Sequence, residues 1–272
     1  MEKSQERIEV LDKIKLCEQN EWWDKDVEND PPTKILKPDE VDYLNTKLSN
    51  KIKTLIYNYA GNKFYKKMLK NKQYIFGEVL GLEKIKNFKG GAIITCNHFN
   101  IFDNYAVLLA LKKEFKHLKL YKVIREGNYS FPGQIGNIFR HCNTLPLSEN
   151  PQTMMKFLKS IKVLLNKGNK ILVYPEQSLW WNYRKPRPLK NGAYKFAVKN
   201  NVPVIALFIT LKDSNILDDF GFPVQIYTVH IQDVIYPNNN LTEKENIEYM
   251  KNKNFELNKQ TYEKTYNQKL PY

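Results

Sequence analysis

The sequence predicts an α/β fold: a mixed, largely parallel sheet flanked by helices, with an N-terminal helical arm. Three observations predict it. Between Gln73 and Gln232, short β-rich runs alternate with segments of helical periodicity, the order that builds a parallel sheet. Clear punctuation separates them: Asn150 and Pro151 open one helix and Gly168 closes it. The chain has 272 residues, 42% of them hydrophobic, enough to bury a sizeable core.

Residues 1–40 read as a short acidic helical arm, with Trp22-Trp23 and a break at Pro31-Pro32, followed by a turn-rich connector. Residues 41–72 form a basic amphipathic helix. Leu44, Leu48, Ile52, Leu55, Ile56 and Tyr59 recur at helical spacing, with lysines around them. Such a helix either lies on a membrane surface or packs on the core with a solvated lysine face. The main domain spans 73–235. Tyr74–Leu80 is a strand, Ala92–Cys96 a short strand, Ile101–Lys113 an apolar helix and Leu120–Ile124 a strand. A short strand at 142–147 precedes the helix at 151–167. Lys170–Tyr174 is a strand, 191–200 a helix, and Val202–Thr210 and Val224–Gln232 are strands. The tail, 236–272, opens a polar helix with the capping box Thr242-x-x-Glu245.

Charge is unevenly placed. The net +14 divides into −6 over residues 1–42 and +20 over 43–272, and residues 43–89 hold 11 lysines against Glu78 and Glu83 alone. The basic part attracts polyanions, whether nucleic acid, acidic substrates or an anionic membrane, unless it only reflects a Lys-rich composition. Four of the five arginines, Arg125, Arg140, Arg184 and Arg187, fall between 125 and 187, which hints at an anion site. Apolar runs such as Val204–Ile209 are six residues long, far below the roughly 20 that a spanning helix needs. The N-terminus lacks the apolar region of a secretory signal, and three cysteines suit a reducing, cytoplasmic compartment. The spacing of Cys96, His98, His141 and Cys142 fits no zinc pattern, so no metal is expected. No glycine-rich nucleic-acid motif or basic recognition helix is present, and no nucleic-acid partner is expected.

Chemistry gathers at strand ends in such sheets. Ala92–Cys96 runs straight into Asn97-His98-Phe99-Asn100-Ile101-Phe102-Asp103. A turn across five residues brings the Asp103 carboxylate to the His98 imidazole, leaving one ring nitrogen free as a base. Lys170–Tyr174 runs into Pro175-Glu176-Gln177-Ser178, and a basic loop with Arg184, Lys185, Arg187 and Lys190 follows. A base dyad, a second carboxylate loop and an anion-binding loop fit attack by a hydroxyl on an activated acyl group. Trp180, Trp181 and Tyr183 in that loop either reach the membrane interface or pack the loop onto the domain. Cys96 reads as a small buried hydrophobe rather than a nucleophile.

Over roughly 75–210 these residues resemble the glycerophospholipid acyltransferases of the lysophosphatidic acid acyltransferase type. Asn97-His98-x4-Asp103 matches that family's His-x4-Asp block and the Asn before it. Gly136-Asn137-Ile138-Phe139-Arg140, ending in Thr144-Leu145-Pro146-Leu147, resembles its second block. Tyr174-Pro175-Glu176-Gln177-Ser178 resembles Phe-Pro-Glu-Gly-Thr-Arg, and Val202-Pro203-Val204-Ile205 resembles the last. The resemblance implies that His98 deprotonates the hydroxyl of a lysophospholipid, 1-acylglycerol-3-phosphate or a related acceptor, while Asp103 orients it. The alkoxide would attack the thioester of acyl-CoA or an acyl carrier protein, with no further cofactor. Asn97, Glu176, Gln177 and Ser178 are the substrate-binding candidates it implies, with Arg140, Arg184 and Arg187 as anion-binding candidates from positions other than the family's usual one, on a protein expected at the inner, cytoplasmic face of a membrane. Two departures bear on the acceptor: Gln177-Ser178-Leu179 replaces Gly-Thr-Arg, and Ser148-Glu149 stands where the second block ends in Arg. An acceptor other than the phosphatidic precursor is the alternative within the family. A basic nucleic-acid- or lipid-binding module without catalysis is the alternative outside it.

Overall fold

A computed structural model describes residues 2–29 and 33–272; the break expected at Pro31-Pro32 lies outside the described residues. Seven strands form one sheet: β1 (Ile75–Leu80), β2 (Ala92–Thr95), β3 (Leu120–Ile124), β4 (Thr144–Pro146), β5 (Lys170–Val173), β6 (Val204–Leu217) and β7 (Pro223–Ile235). Their spatial order is β1-β7-β6-β2-β5-β3-β4. Every neighbouring pair is parallel except β6 and β7, which form a long antiparallel hairpin. The sheet is therefore mixed and largely parallel, as the alternation of elements predicts.

Central strands are apolar on both faces because both faces are covered. Ile93, Ile171, Val204 and Ala206 face one core with α6 (Pro151–Asn166), α7 (Gly192–Lys199) and α8 (Glu243–Tyr266). Ile94, Leu172, Ile205 and Leu207 face the other, closed by α3 (Asp103–Lys112) and by Met68 of α2 (Leu48–Lys70). The caps read in the sequence are formed. Asn150 accepts from the backbone N–H groups of Gln152 and Thr153, and Thr242 and Glu245 close a reciprocal capping box.

Several elements depart from the sequence expectation. The helix expected from residue 41 starts at Leu48, because the Asp42 carboxylate accepts from the backbone N–H groups of Thr46 and Lys47 and holds 42–47 in a turn. Two short helices are added, α4 (Glu126–Tyr129) and α5 (Gly133–His141), whose glycines mask any helical signal. β6 continues seven residues past Thr210, where Lys212 and Asp213 are exposed in the hairpin and no apolar pattern marks the strand.

Helix α2 carries its apolar stripe on its N-terminal turns, and that stripe faces solvent. Leu48, Ile52, Leu55, Ile56 and Tyr59 are all exposed, and Met68 is the buried residue of the helix. The C-terminal end of α2 holds it to the domain: Tyr65 stacks on Tyr105 at 3.8 Å and meets the Phe102 ring edge-on at 5.8 Å. The acidic arm, α1 (Gln5–Gln19) and the chain after it, packs against the basic loop of 180–190. Val10, Ile14, Cys17 and Val27 form one cluster with Trp180, Trp181 and Phe222.

Candidate active site

The sheet order brings two strand ends together. β2 and β5 are parallel neighbours with Thr95 opposite Val173, so the loops leaving them start side by side. Asn97 pins the first loop to the sheet. Its buried amide donates to the Ile209 carbonyl at 3.0 Å and accepts from the Ile209 N–H at 2.8 Å, continuing the β2–β6 ladder through a side chain. The chain then curls back so that Asp103, the first residue of α3, closes on the loop that precedes it. Asp103 Oδ2 accepts from His98 Nδ1 at 2.7 Å and from the N–H groups of Phe99 and Asn100 at 3.2 and 3.4 Å. This local ring is the physical reason for the five-residue spacing. Asp103 is 1% exposed, while the His98 side chain keeps 20% of its surface. With Nδ1–H donated to the carboxylate, Nε2 keeps its lone pair.

The second loop supports the first from below. Glu176 Oε2 accepts the His98 backbone N–H at 3.2 Å. Arg187 donates to Glu176 Oε2 through Nε at 3.2 Å and Nη2 at 3.0 Å, and its own N–H reaches Oε1 at 3.0 Å. Nη1 donates to the Trp23 carbonyl and to Ser178 Oγ, both at 2.9 Å, and Nη2 also reaches the carbonyls of Ser178 and His98. The guanidinium is fully buried, stacked over the Trp180 ring at 4.5 Å, with every N–H donor taken. Glu176 and Ser178 are 3% exposed. Asn97, Glu176 and Arg187 thus hold backbone in place, Ser178 Oγ accepts from Arg187, and all four residues are buried.

The remaining substrate-binding candidates differ. Gln177 is exposed at the mouth of the same loop, with a left-handed φ of 69° that a glycine would adopt without strain. Arg140 donates to the carbonyls of Tyr129 and Phe131 and to Asn137 Oδ1. Gly136 lets it do so: a Cβ there would stand 1.6 Å from the Phe131 oxygen. Arg184 pairs with Asp213 at 2.7 Å, on the β6–β7 hairpin. Arg125 pairs with Asp26 of the arm. The arginine cluster is therefore committed to internal partners. Trp180 and Trp181 are buried, which decides between their two readings in favour of packing. Cys96 is buried too, and burial pushes its thiol well above the usual range, away from nucleophilic use.

Sequence reasoning missed Tyr174, the last residue before Pro175. Its hydroxyl donates to Asp103 Oδ1 at 2.5 Å and its ring stacks on the His98 imidazole, centroids 4.0 Å apart. The residue lies inside a quoted motif, but its contact depends on β2 and β5 being neighbours.

The geometry can take a proton from a bound hydroxyl at Nε2 and hold the resulting imidazolium against a buried carboxylate. Residues 77–210 match the family model described as Acyltransferase. A chloroplastic 1-acyl-sn-glycerol-3-phosphate acyltransferase, BAT2, from Brassica napus is 27% identical over 131 residues, 48% of this chain. The match spans only 36% of that relative's length. The crystal structure of the 1-acyl-sn-glycerophosphate (LPA) acyltransferase PlsC from Thermotoga maritima superposes with a TM-score of 0.55 at 19% identity, covering 83% of this chain and 86% of that one, and shows the same fold. Residues 77–210, just under half of the chain, thus carry a likeness to the acyltransferase family.

Proposed function

We propose that this protein transfers a fatty acyl group from the thioester of acyl-CoA or an acyl carrier protein to a hydroxyl of a lysophospholipid, as a step of phospholipid biosynthesis. The observation that carries this reading is the His98 Nδ1–Asp103 contact at 2.7 Å, set at the adjoining ends of β2 and β5 with Nε2 left free. His98 Nε2 removes the acceptor's hydroxyl proton as the oxygen attacks the thioester carbonyl. The tetrahedral intermediate collapses by breaking the C–S bond, and the imidazolium returns its proton to the departing thiolate. Asp103 keeps the imidazole in the required tautomer throughout. Purified protein should release free thiol from acyl-CoA only when a lysophospholipid is supplied, and His98→Ala should abolish release. Unchanged turnover in His98→Ala would remove His98 from the chemistry.

A specific observation favours an acceptor other than lysophosphatidic acid: Arg140 and Arg187 are held by internal partners, and Arg125 and Arg184 each already face a carboxylate. A panel of lysolipids with and without a phosphomonoester separates the two acceptors. The side-chain amine of Lys122, on the face of β3 shared with Leu120, forms no hydrogen bond or ion pair among the described residues, and burial lowers its affinity for a proton. It is the side chain we assign to a negatively charged acceptor, whose own charge would favour the protonated amine.

No helix among the described residues is long and apolar enough to cross a membrane. We place the protein on the inner, cytoplasmic membrane face through α2, whose bare apolar stripe and lysines suit an anionic lipid surface. Leu55→Asp with Ile56→Asp should release it from anionic vesicles while leaving the fold intact, since both residues are exposed. Undiminished vesicle binding by that variant would assign docking elsewhere.

A further inference from the structure

We propose that Tyr174 is a positioning residue of the transfer step, orienting Asp103 through its hydroxyl and His98 through its ring. The inference rests on the reading of His98 as the base. It starts from the acceptor capacity of a buried carboxylate. Asp103 Oδ2 already serves His98 Nδ1 and the N–H groups of Phe99 and Asn100. Oδ1 has one protein donor among the described residues, the Tyr174 hydroxyl at 2.5 Å. At 1% exposure the carboxylate is shielded from bulk solvent. Without that hydroxyl, Oδ1 is either left unsatisfied or turns to compete for the donors on Oδ2, and the carboxylate plane that aligns His98 is lost.

The surroundings single out this one group. Tyr65 from α2, Tyr74 ahead of β1, Cys96 after β2 and Tyr227 from β7 all face the same carboxylate, and each is neutral, its proton held tightly by burial. Tyr74 sends its hydroxyl to the Phe102 carbonyl instead. The Glu176–Arg187 pair lies beneath the His98 backbone and neutralises itself. Lys122 stands opposite Leu172, on the strand beside β5. Burial and the adjacent Asp103 charge push the Tyr174 phenol well above its ordinary range, so it is a donor at neutral pH. Phenylalanine would supply the stacking alone. The hydroxyl adds two effects: it fixes the carboxylate and it draws electron density from it, so the carboxylate holds the imidazolium less tightly.

Electronic withdrawal has a signature that packing lacks. In Tyr174→Phe the carboxylate recovers full charge on the imidazole. The acid limb of kcat/KM against pH should then move up by about half a unit. Loss of alignment should lower kcat by roughly three- to tenfold, with KM little changed. Site-specific 3-fluorotyrosine at 174, a stronger donor in nearly the same volume, should move the limb the opposite way. Proton NMR of the imidazole, assigned by the resonance missing from His98→Ala, reads the same midpoint without substrate and so serves if no tested acceptor turns over. Opposite shifts in the two variants establish the role. An unchanged limb and midpoint in both, or shifts of the same sign, overturn it. If Tyr174→Phe does not fold, the fluorotyrosine protein alone decides by the sign of its shift. Persisting activity in His98→Ala would instead refute the base reading, a result distinguishable from failure of the Tyr174 inference.

Discussion

Replacing Arg187 with methionine tests how the site is built. The buried guanidinium gives Glu176 two charge-assisted hydrogen bonds and caps the carbonyls of Trp23 and Ser178. Methionine fills much of the same volume but leaves a carboxylate 3% exposed with only the N–H groups of His98 and residue 187 as donors. Breaking one side of a buried ion pair costs about 3–5 kcal/mol. In a chain of this size that lowers the melting midpoint by roughly 5–9 °C. Arg187→Met with Glu176→Gln removes the stranded charge and should recover a substantial part of the loss, giving a large coupling energy in the double-mutant cycle. The assay is thermal unfolding by circular dichroism beside acyl-transfer kinetics. Because Glu176 and Arg187 both hold the His98 backbone, kcat should fall with stability. A single variant that unfolds at the wild-type temperature and shows only a raised acceptor KM would refute the argument. It would return Arg187 to ligand binding.

Three further outcomes follow from the same contacts. All four tryptophans lie in the arm or in the loop that it clasps, so Val10→Asp, placed in a cluster where Val10 is 2% exposed, should shift intrinsic fluorescence to the red and cost activity. Neutralising Asp24 and Asp26 should do neither, each exposed pair being worth about 1 kcal/mol or less. At the left-handed Gln177, Gln177→Gly should leave stability level or raised, whereas β-branched Gln177→Val should lose roughly 1–3 kcal/mol by chemical denaturation. Tyr74, Tyr174 and Tyr194 keep their protons far above the ordinary phenol range because they are buried. The unfolded chain binds fewer protons above about pH 10, so stability falls as pH rises past that point. A pH titration of the unfolding free energy that stays flat there would contradict the burial of these phenols.

The sequence made legible what is local. His98 and Asp103 are joined by one turn, so their spacing permits the contact, and the neighbouring strand-end motifs make it the expected one. The caps at Asn150 and Thr242 are likewise written within three residues. What required the structure is the adjacency of β2 and β5. Tyr174 touches Asp103 across 71 residues, and Glu176 reaches the His98 N–H across 78. No periodicity carries that information. The amphipathicity of α2 could be read, but not which face is covered, since a covered stripe and a bare stripe have the same spacing. Arg187 misled for a related reason: a cation in a polar loop looks solvated until a buried carboxylate is found beneath it.

The charge pattern gains its meaning from this division between spent and unspent cations. Lys185 pairs with Glu18, Lys190 with Asp24 and Arg125 with Asp26, so part of the acidic arm's negative charge neutralises the basic loop and its flank. Arg184 and Arg187 are matched within the domain. By contrast, none of the 11 lysines between 43 and 89 forms an ion pair among the described residues. The unmatched charge therefore includes the lysines of the helix whose apolar stripe is bare, and the other end of that helix touches Phe102, next to Asp103. Exposed lysines are screened by salt within about 10 Å at 0.1 M, whereas a guanidinium sealed under Trp180 is not. Docking and chemistry must then separate with ionic strength. Raising salt should detach the protein from anionic vesicles while turnover of a short-chain, water-soluble acceptor stays level. A parallel fall in both would mean that the lysines act in the chemical step itself, and that the bare stripe is not what brings the site to its lipid.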